Sequence, residues 1–203
     1  MERRQLINSI IELEWDMFTN APSAGGKAAC QDDKPTFMVM RKAQAEIWHE
    51  KTLQSYKSDL EQAAILGLNL MTIKYAHMMK VTFPEEYEQL KDALPPVSQK
   101  AEELADKIVR IHSKWSIEAA GRYPRLFALG RPLTDDGNRY AAMDNYLHSE
   151  LLTYSEQTLA LCLNDTRKAE SEGINLSVQI LKNTAESYGY NSVEALEQRL
   201  QSS

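Results

Sequence analysis

Cysteine is nearly absent from this chain. Only Cys30 and Cys162 occur among its 203 residues, far apart in sequence. No disulfide framework can be built from them, so reduced thiols and a cytoplasmic setting are expected. No apolar run approaches the roughly 20 residues that a helical span requires, so no membrane partner is expected. No long basic block exists and the net charge is -6, which argues against a nucleic-acid partner. The start MERRQLINSIIELEWDMF is basic, but Glu12, Glu14 and Asp16 interrupt any signal-peptide core. Val and Ile are sparse beside Leu, Ala, Glu, Gln and Lys, which disfavours strands. The motifs CxxC, HExxH, GxSxG and GxGxxG are missing, and no internal repeat or low-complexity tract is evident.

Helical periodicity is what remains, and it is strong. One helix is predicted over Arg3–Thr19, with Leu6, Ile10, Leu13 and Met17 on one line and Ile7 and Ile11 beside it. Residues 20 to 35 break the pattern with Pro22, Gly25, Gly26 and Pro35. A long helix then runs from Thr36 to about Leu66, with a break allowed near Lys51 to Leu53. Gly67 ends it. Leu70–Thr82 is apolar nearly all round and should be central. After a short helix from Pro84, Ser98 caps a clean amphipath with Leu104, Ile108, Ile111 and Trp115 inward. A second irregular stretch covers residues 121 to 138. A second long helix is predicted over about Arg139–Glu172, closed by Gly173, and two short helices end the chain. The fold class is therefore all-α. One domain is expected over 1–203, a helical bundle with two long helices, a buried central helix and short C-terminal helices over 170–203.

Several polar residues fall where these helices should be apolar. Glu14 lies between the apolar lines of its helix, at the stripe's edge or against a buried partner. Arg41 and Gln44 share a face with Phe37, Met40 and Ile47. Arg is always charged and its planar fork suits carboxylates or phosphates; a structural ion pair with Glu14 is the plainer role. Lys74 shares a line with Leu70 and Met78. A desolvated Lys can act as base or amine nucleophile, although a counter-ion to a carboxylate is commoner. Glu150 and Tyr154 border Leu147 and Leu151. With Asp59 and Tyr75 these residues form one candidate polar cluster from separate helices, and Arg131 would balance its charge. Such a cluster either is a structural ion network or lines a ligand site. Cys30 stands near Lys27 and is a conceivable nucleophile, or else an inert small residue. Gly25-Gly26-Lys27 could approach a phosphate but lacks P-loop spacing.

A carboxylate-bridged di-metal bundle needs two Glu-x-x-His pairs and two further carboxylates. Glu46 and His49 fit one pair, and Glu14 and Glu150 could be the lone acids, but the second pair is missing. No metal ligands are assigned.

The runs Glu14-Trp15-x-Met17-Phe18, Gly25-Gly26-Lys27-Ala28-x-Cys30-Gln31-Asp32 and Thr36-Phe37-x-x-Met40-Arg41-x-x-Gln44 resemble an uncharacterised bacterial family, domain of unknown function 4125. So do Lys74-Tyr75-Ala76-x-Met78-Met79, Gly130-Arg131-Pro132 and Glu150-Leu151-x-Thr153-Tyr154-Ser155. The resemblance runs nearly to Gly173. Lys27 stands where the family more often has Arg, and Leu68 where Arg is usual. It implies a bacterial, intracellular, single-domain protein without an established activity. It also implies that the loop carrying Cys30 and Gln31 belongs with Glu14, Arg41, Lys74 and Glu150 as one site.

The leading expectation is a small-molecule enzyme or binder for a polar or anionic metabolite. Arg41, Gln44, Gln31, Tyr75, Arg131 and Tyr154 would contact the ligand. Glu14, Lys74, Glu150 and Cys30 would supply chemistry. A structural or partner-binding bundle with an internal ion network is the alternative, and a metal-carboxylate bundle the third. Cofactor and oligomeric state are left open.

Overall fold

The computed structural model describes residues 2–22, 28–133 and 142–201, and among these every regular element is helical. The helices are α1 (Arg3–Thr19), α2 (Lys34–Ala45), α3 (Glu50–Ile65), α4 (Leu70–Thr82), α5 (Pro84–Leu90) and α6 (Gln99–Arg122). They are followed by α7 (Pro124–Ala128), α8 (Met143–Leu151), α9 (Glu156–Ser171), α10 (Leu176–Ser187) and α11 (Val193–Gln201). The all-α class holds. The main core gathers Leu6, Ile10, Leu53, Leu60, Ile108 and Leu159, each at most 2% exposed. In α4, Leu70, Met71, Ile73, Ala76 and Met78 are buried, together with Lys74 and His77.

The two long helices expected from sequence are each a pair. The first breaks at residues 46–49, between α2 and α3, earlier than Lys51. The second breaks at residues 152–155, between α8 and α9; its expected start at Arg139 lies outside the described residues. The longest helix is instead α6. Neither break contains Pro or Gly, so no local punctuation marks it. The new N-termini expose main-chain N–H groups that need acceptors, and a facing helix supplies them. The Asp165 carboxylate on α9 accepts from the His49 N–H at 2.9 Å and the Thr52 hydroxyl at 2.7 Å, at the start of α3. The Asp59 carboxylate on α3 accepts from the Ser155 N–H at 3.0 Å, at the start of α9.

This exchange of caps is one sign of an internal repeat that the sequence reading did not detect. α3 and α9 end identically, on Gly67 and Gly173, both at φ 68°. A side chain at that φ is strained, which is why glycine closes both helices. Each glycine is followed by an N–H that returns into the preceding helix, Leu68 to Ala63 and Ile174 to Ala169, both at 2.8 Å. Asn69 and Asn175 then cap α4 and α10. Their amide nitrogens donate to Met17 of α1 and Trp115 of α6 respectively. Packing follows the same rule: α1 lies on α3 as α6 lies on α9, and α4 lies on α8 as α10 lies on α2. The units α1–α4 and α6, α8–α10 are therefore equivalent and contact each other reciprocally, as around an approximate twofold axis.

Candidate functional site

Glu14 sits one turn after Ile10 and Ile11 on α1, so helical geometry directs its carboxylate into the core with them. Arg41 comes from α2, Tyr56 from α3, Lys74 from α4 and Glu150 from α8, and Tyr154 lies in the break before α9. The four charged residues are inside: Glu14 and Lys74 are 1% exposed, Arg41 and Glu150 8%. Stripping such groups of water costs several kcal/mol each unless they are paired and hydrogen-bonded. They are. The Arg41 fork bonds both Glu14 oxygens, with Nε to Oε2 at 2.9 Å. Its Nη1 and Nη2 each reach Glu150 Oε1 at 3.0 Å, and Nη1 also reaches Gln44 Oε1 at 2.6 Å. Lys74 Nζ donates to the other Glu150 oxygen. The Tyr56 hydroxyl donates to Glu14 at 2.7 Å and the Tyr154 hydroxyl to Glu150 at 2.9 Å. Two acids and two bases cancel.

Burial works against ionising Glu150, but Arg41 and Lys74 outweigh it and hold the carboxyl well below its usual range. The Tyr56 and Tyr154 phenols are pushed up, by burial first and then by the adjacent carboxylates. They stay protonated donors. Burial lowers the pKa of Arg41, but Glu14 and Glu150 prevail and leave it raised. Tyr56, Tyr154 and Trp48 pack edge against face beneath the network, with centroids 4.6 to 6.0 Å apart.

One side of the cluster carries a rim. Lys74 Nζ stands 3.5 Å from the centroid of the Tyr146 ring, and Arg131 Cζ 4.5 Å from the same centroid. Tyr146 is half-buried and Arg131 exposed. The half-buried Tyr75 is raised out of its ordinary range, by burial first, then by Tyr146 and Cys30, with Arg131 acting the other way. Cys30 is exposed on a single helical turn before α2.

The predicted site residues thus fall into three groups. Glu14, Arg41, Gln44, Lys74, Glu150 and Tyr154 share one network. Arg131 reaches its rim over the Tyr146 ring, while Tyr75 is half-buried on α4 and Cys30 is exposed before α2. Gln31 is placed otherwise: its side-chain oxygen accepts from the Ala28 N–H at 2.8 Å, and its nitrogen donates to the Phe18 and Ala21 carbonyls. Its amide ties the loop to the end of α1. Asp59 leaves the cluster to cap α9. Gly25, Gly26 and Lys27 lie outside the described residues. Sequence reasoning missed Tyr56 and Tyr146. A tyrosine on the apolar face of α3 needs a partner for its hydroxyl, which was the available signal for Tyr56. His49 pairs with Asp165, and no group of three His, Cys, Asp or Glu suited to a metal occurs among the described residues. A shallow groove between α3 and α9, lined by Lys51, Gln54, Asp59 and Gln157, involves no member of the network.

The repeat places different residues at the equivalent positions. The position of Glu14 is taken by His112, that of Arg41 by Leu147, that of Tyr56 by Cys162 and that of Lys74 by Ile180. Glu150 and Gln44 exchange places, as do Tyr154 and Trp48. His112 is lowered to about 4 by burial and is neutral at pH 7. Cys162 is buried and its thiol pushed up, by burial first. Cys162 belongs to the main core, whereas His112 packs edge-on against Trp115, in a smaller cluster with Ala169 and Leu176. No ion pair joins His112, Leu147, Cys162 and Ile180.

Comparison with known proteins gives one match. A family described as "Protein of unknown function (DUF4125)" matches residues 4–198. No curated protein and no solved structure matches.

Proposed function

Since the chain belongs to the DUF4125 family, whose description assigns no activity, we propose from the geometry that the buried cluster is a binding site for a small polar or anionic molecule. One observation carries this reading: of two equivalent sets of positions in the repeat, only one holds the charges. The equivalent positions are filled by His112, Leu147, Cys162 and Ile180. Packing alone does not require Glu14, Arg41, Lys74 and Glu150. Buried ion sets are commonly neutral or costly by about 1–4 kcal/mol against apolar replacements, so another use is the economical explanation. The resting network suits binding better than proton transfer. A general acid or base works with a pKa near the working pH, whereas Glu150 is held down and both phenols are pushed up.

The completeness of the network favours the second reading, a bundle whose internal ions only fix helix register. A near-isosteric variant without charges, Glu14→Gln/Arg41→Met/Lys74→Met/Glu150→Gln, separates the two. The binding reading expects a cooperative melt at or above the wild-type Tm, together with loss of any metabolite-induced thermal shift. A broad, non-cooperative melt with loss of a single packed state would establish the register role instead.

A further inference from the structure

Within the network the two cations are not alike. Arg41 is held by both carboxylates and by Gln44. Lys74 bonds one oxygen of Glu150, and its ammonium otherwise faces the Tyr146 ring at 3.5 Å. Glu150 does not depend on Lys74 alone, because its other oxygen accepts from Arg41 twice and from Tyr154. An exchange at Lys74 would therefore leave Glu150 neutralised and hydrogen-bonded. An exchange at Arg41 would strand Glu14 as well. Lys74 is the group in the core that can change partner at least cost.

Among the described residues, an aromatic side chain lies over the Lys74 ammonium. Tyr146 is half-buried, and the exposed Arg131 reaches over the same ring. Next to Lys74 in sequence on α4, the Tyr75 phenol stays protonated and can donate a hydrogen bond. A cation is held less strongly over a tyrosine face than in a desolvated charge-assisted hydrogen bond, so an anion can displace the ring. The geometry points to Tyr146 as a cover over an anion site, and this rests on the binding reading above. A small carboxylate or phosphate group would take the space of the Tyr146 ring. It would meet the Lys74 ammonium within, Arg131 at the mouth and the Tyr75 hydroxyl at the side. The convergence of α4, α8 and Arg131, three residues beyond α7, on one ring builds this site, and its inner cation is almost wholly buried.

The test is titration of the full chain with inorganic phosphate, with succinate and with glucose as a neutral control, read by thermal shift and calorimetry. Tyr146→Ala should raise affinity for at least one anion several-fold, because the cover no longer competes. Tyr146→Phe should match the wild type, since it keeps the ring over Lys74. Arg131→Ala should weaken binding about threefold, and Lys74→Met should reduce it at least tenfold. Phosphate responding without succinate, or the reverse, identifies the anion class. Equal responses of wild type, Tyr146→Ala and Lys74→Met to both anions would overturn the proposal. So would saturation by glucose, or no anion response even from a folded Tyr146→Ala protein. Failure of the binding reading is seen separately, as loss of cooperative folding in the charge-free variant.

Discussion

At the scale of single residues, burial decides what each titrating group can do. His112 and Glu14 occupy equivalent places, yet one is a lone imidazole against Trp115 and Thr166 and the other an acid between Arg41 and Tyr56. His112 has no charged partner, so burial alone lowers it to about 4, against an ordinary value near 6.5. Between those two values the unfolded chain binds more protons than the folded one. Stability is therefore full above about pH 6.5 and falls as the pH drops toward 4, by roughly 2–3 kcal/mol from this residue. His77 is lowered too, by burial and by His148 and Lys80, and its buried Nε2 has no hydrogen-bond partner among the described residues. Glu150, held below the ordinary carboxylate range, adds a further loss at still lower pH. Urea unfolding measured from pH 7 to pH 4 should show this acid slope, and His112→Gln should flatten it by that amount.

At the scale of elements, the four-residue breaks place the site. Ending α8 at Leu151 lets Tyr154 leave the helix and turn its hydroxyl back onto Glu150. The breaks are held by side chains on the facing helix, Asp165 for α3 and Asp59 for α9. Helix caps of this kind contribute about 0.5–2 kcal/mol each. Asp59→Ala and Asp165→Ala should each lower stability by roughly 1 kcal/mol. They cap opposite ends of one antiparallel contact, so a double-mutant cycle by chemical denaturation should give near-additive losses. Additivity within about 0.5 kcal/mol supports two independent clamps, and a large coupling would mean that the pair acts as one.

At the scale of the molecule, the two units interlock. α4 is covered by α8, and α2 by α10, so each unit completes the core of the other. Residues 1–95 alone would leave the apolar face of α4 and the ions on α1, α2 and α4 without Glu150 or Tyr154. That fragment should show little stable helix by circular dichroism. Mixed with residues 96–203 it should regain ellipticity in a concentration-dependent manner. Full helicity in either fragment alone would mean that the interlock is dispensable.

Helical class, most helix ends and the placing of Glu14, Arg41, Lys74 and Glu150 on or beside apolar stripes were legible in the sequence alone, because amphipathic period is a local fact, whereas their burial and pairing came from the tertiary structure. Only the tertiary structure decided the breaks at 46–49 and 152–155, since their stabilising acceptors are 96 to 116 residues away. It also decided the fate of Gln31 and Asp59, whose polar atoms go to main-chain groups, and the roles of Tyr56 and Tyr146. The repeat was present in the sequence as Thr52 and Thr158, Asp59 and Asp165, Gly67 and Gly173, and Asn69 and Asn175. It stayed hidden because those identities fall on caps and turns, while the core positions between them have diverged under different packing.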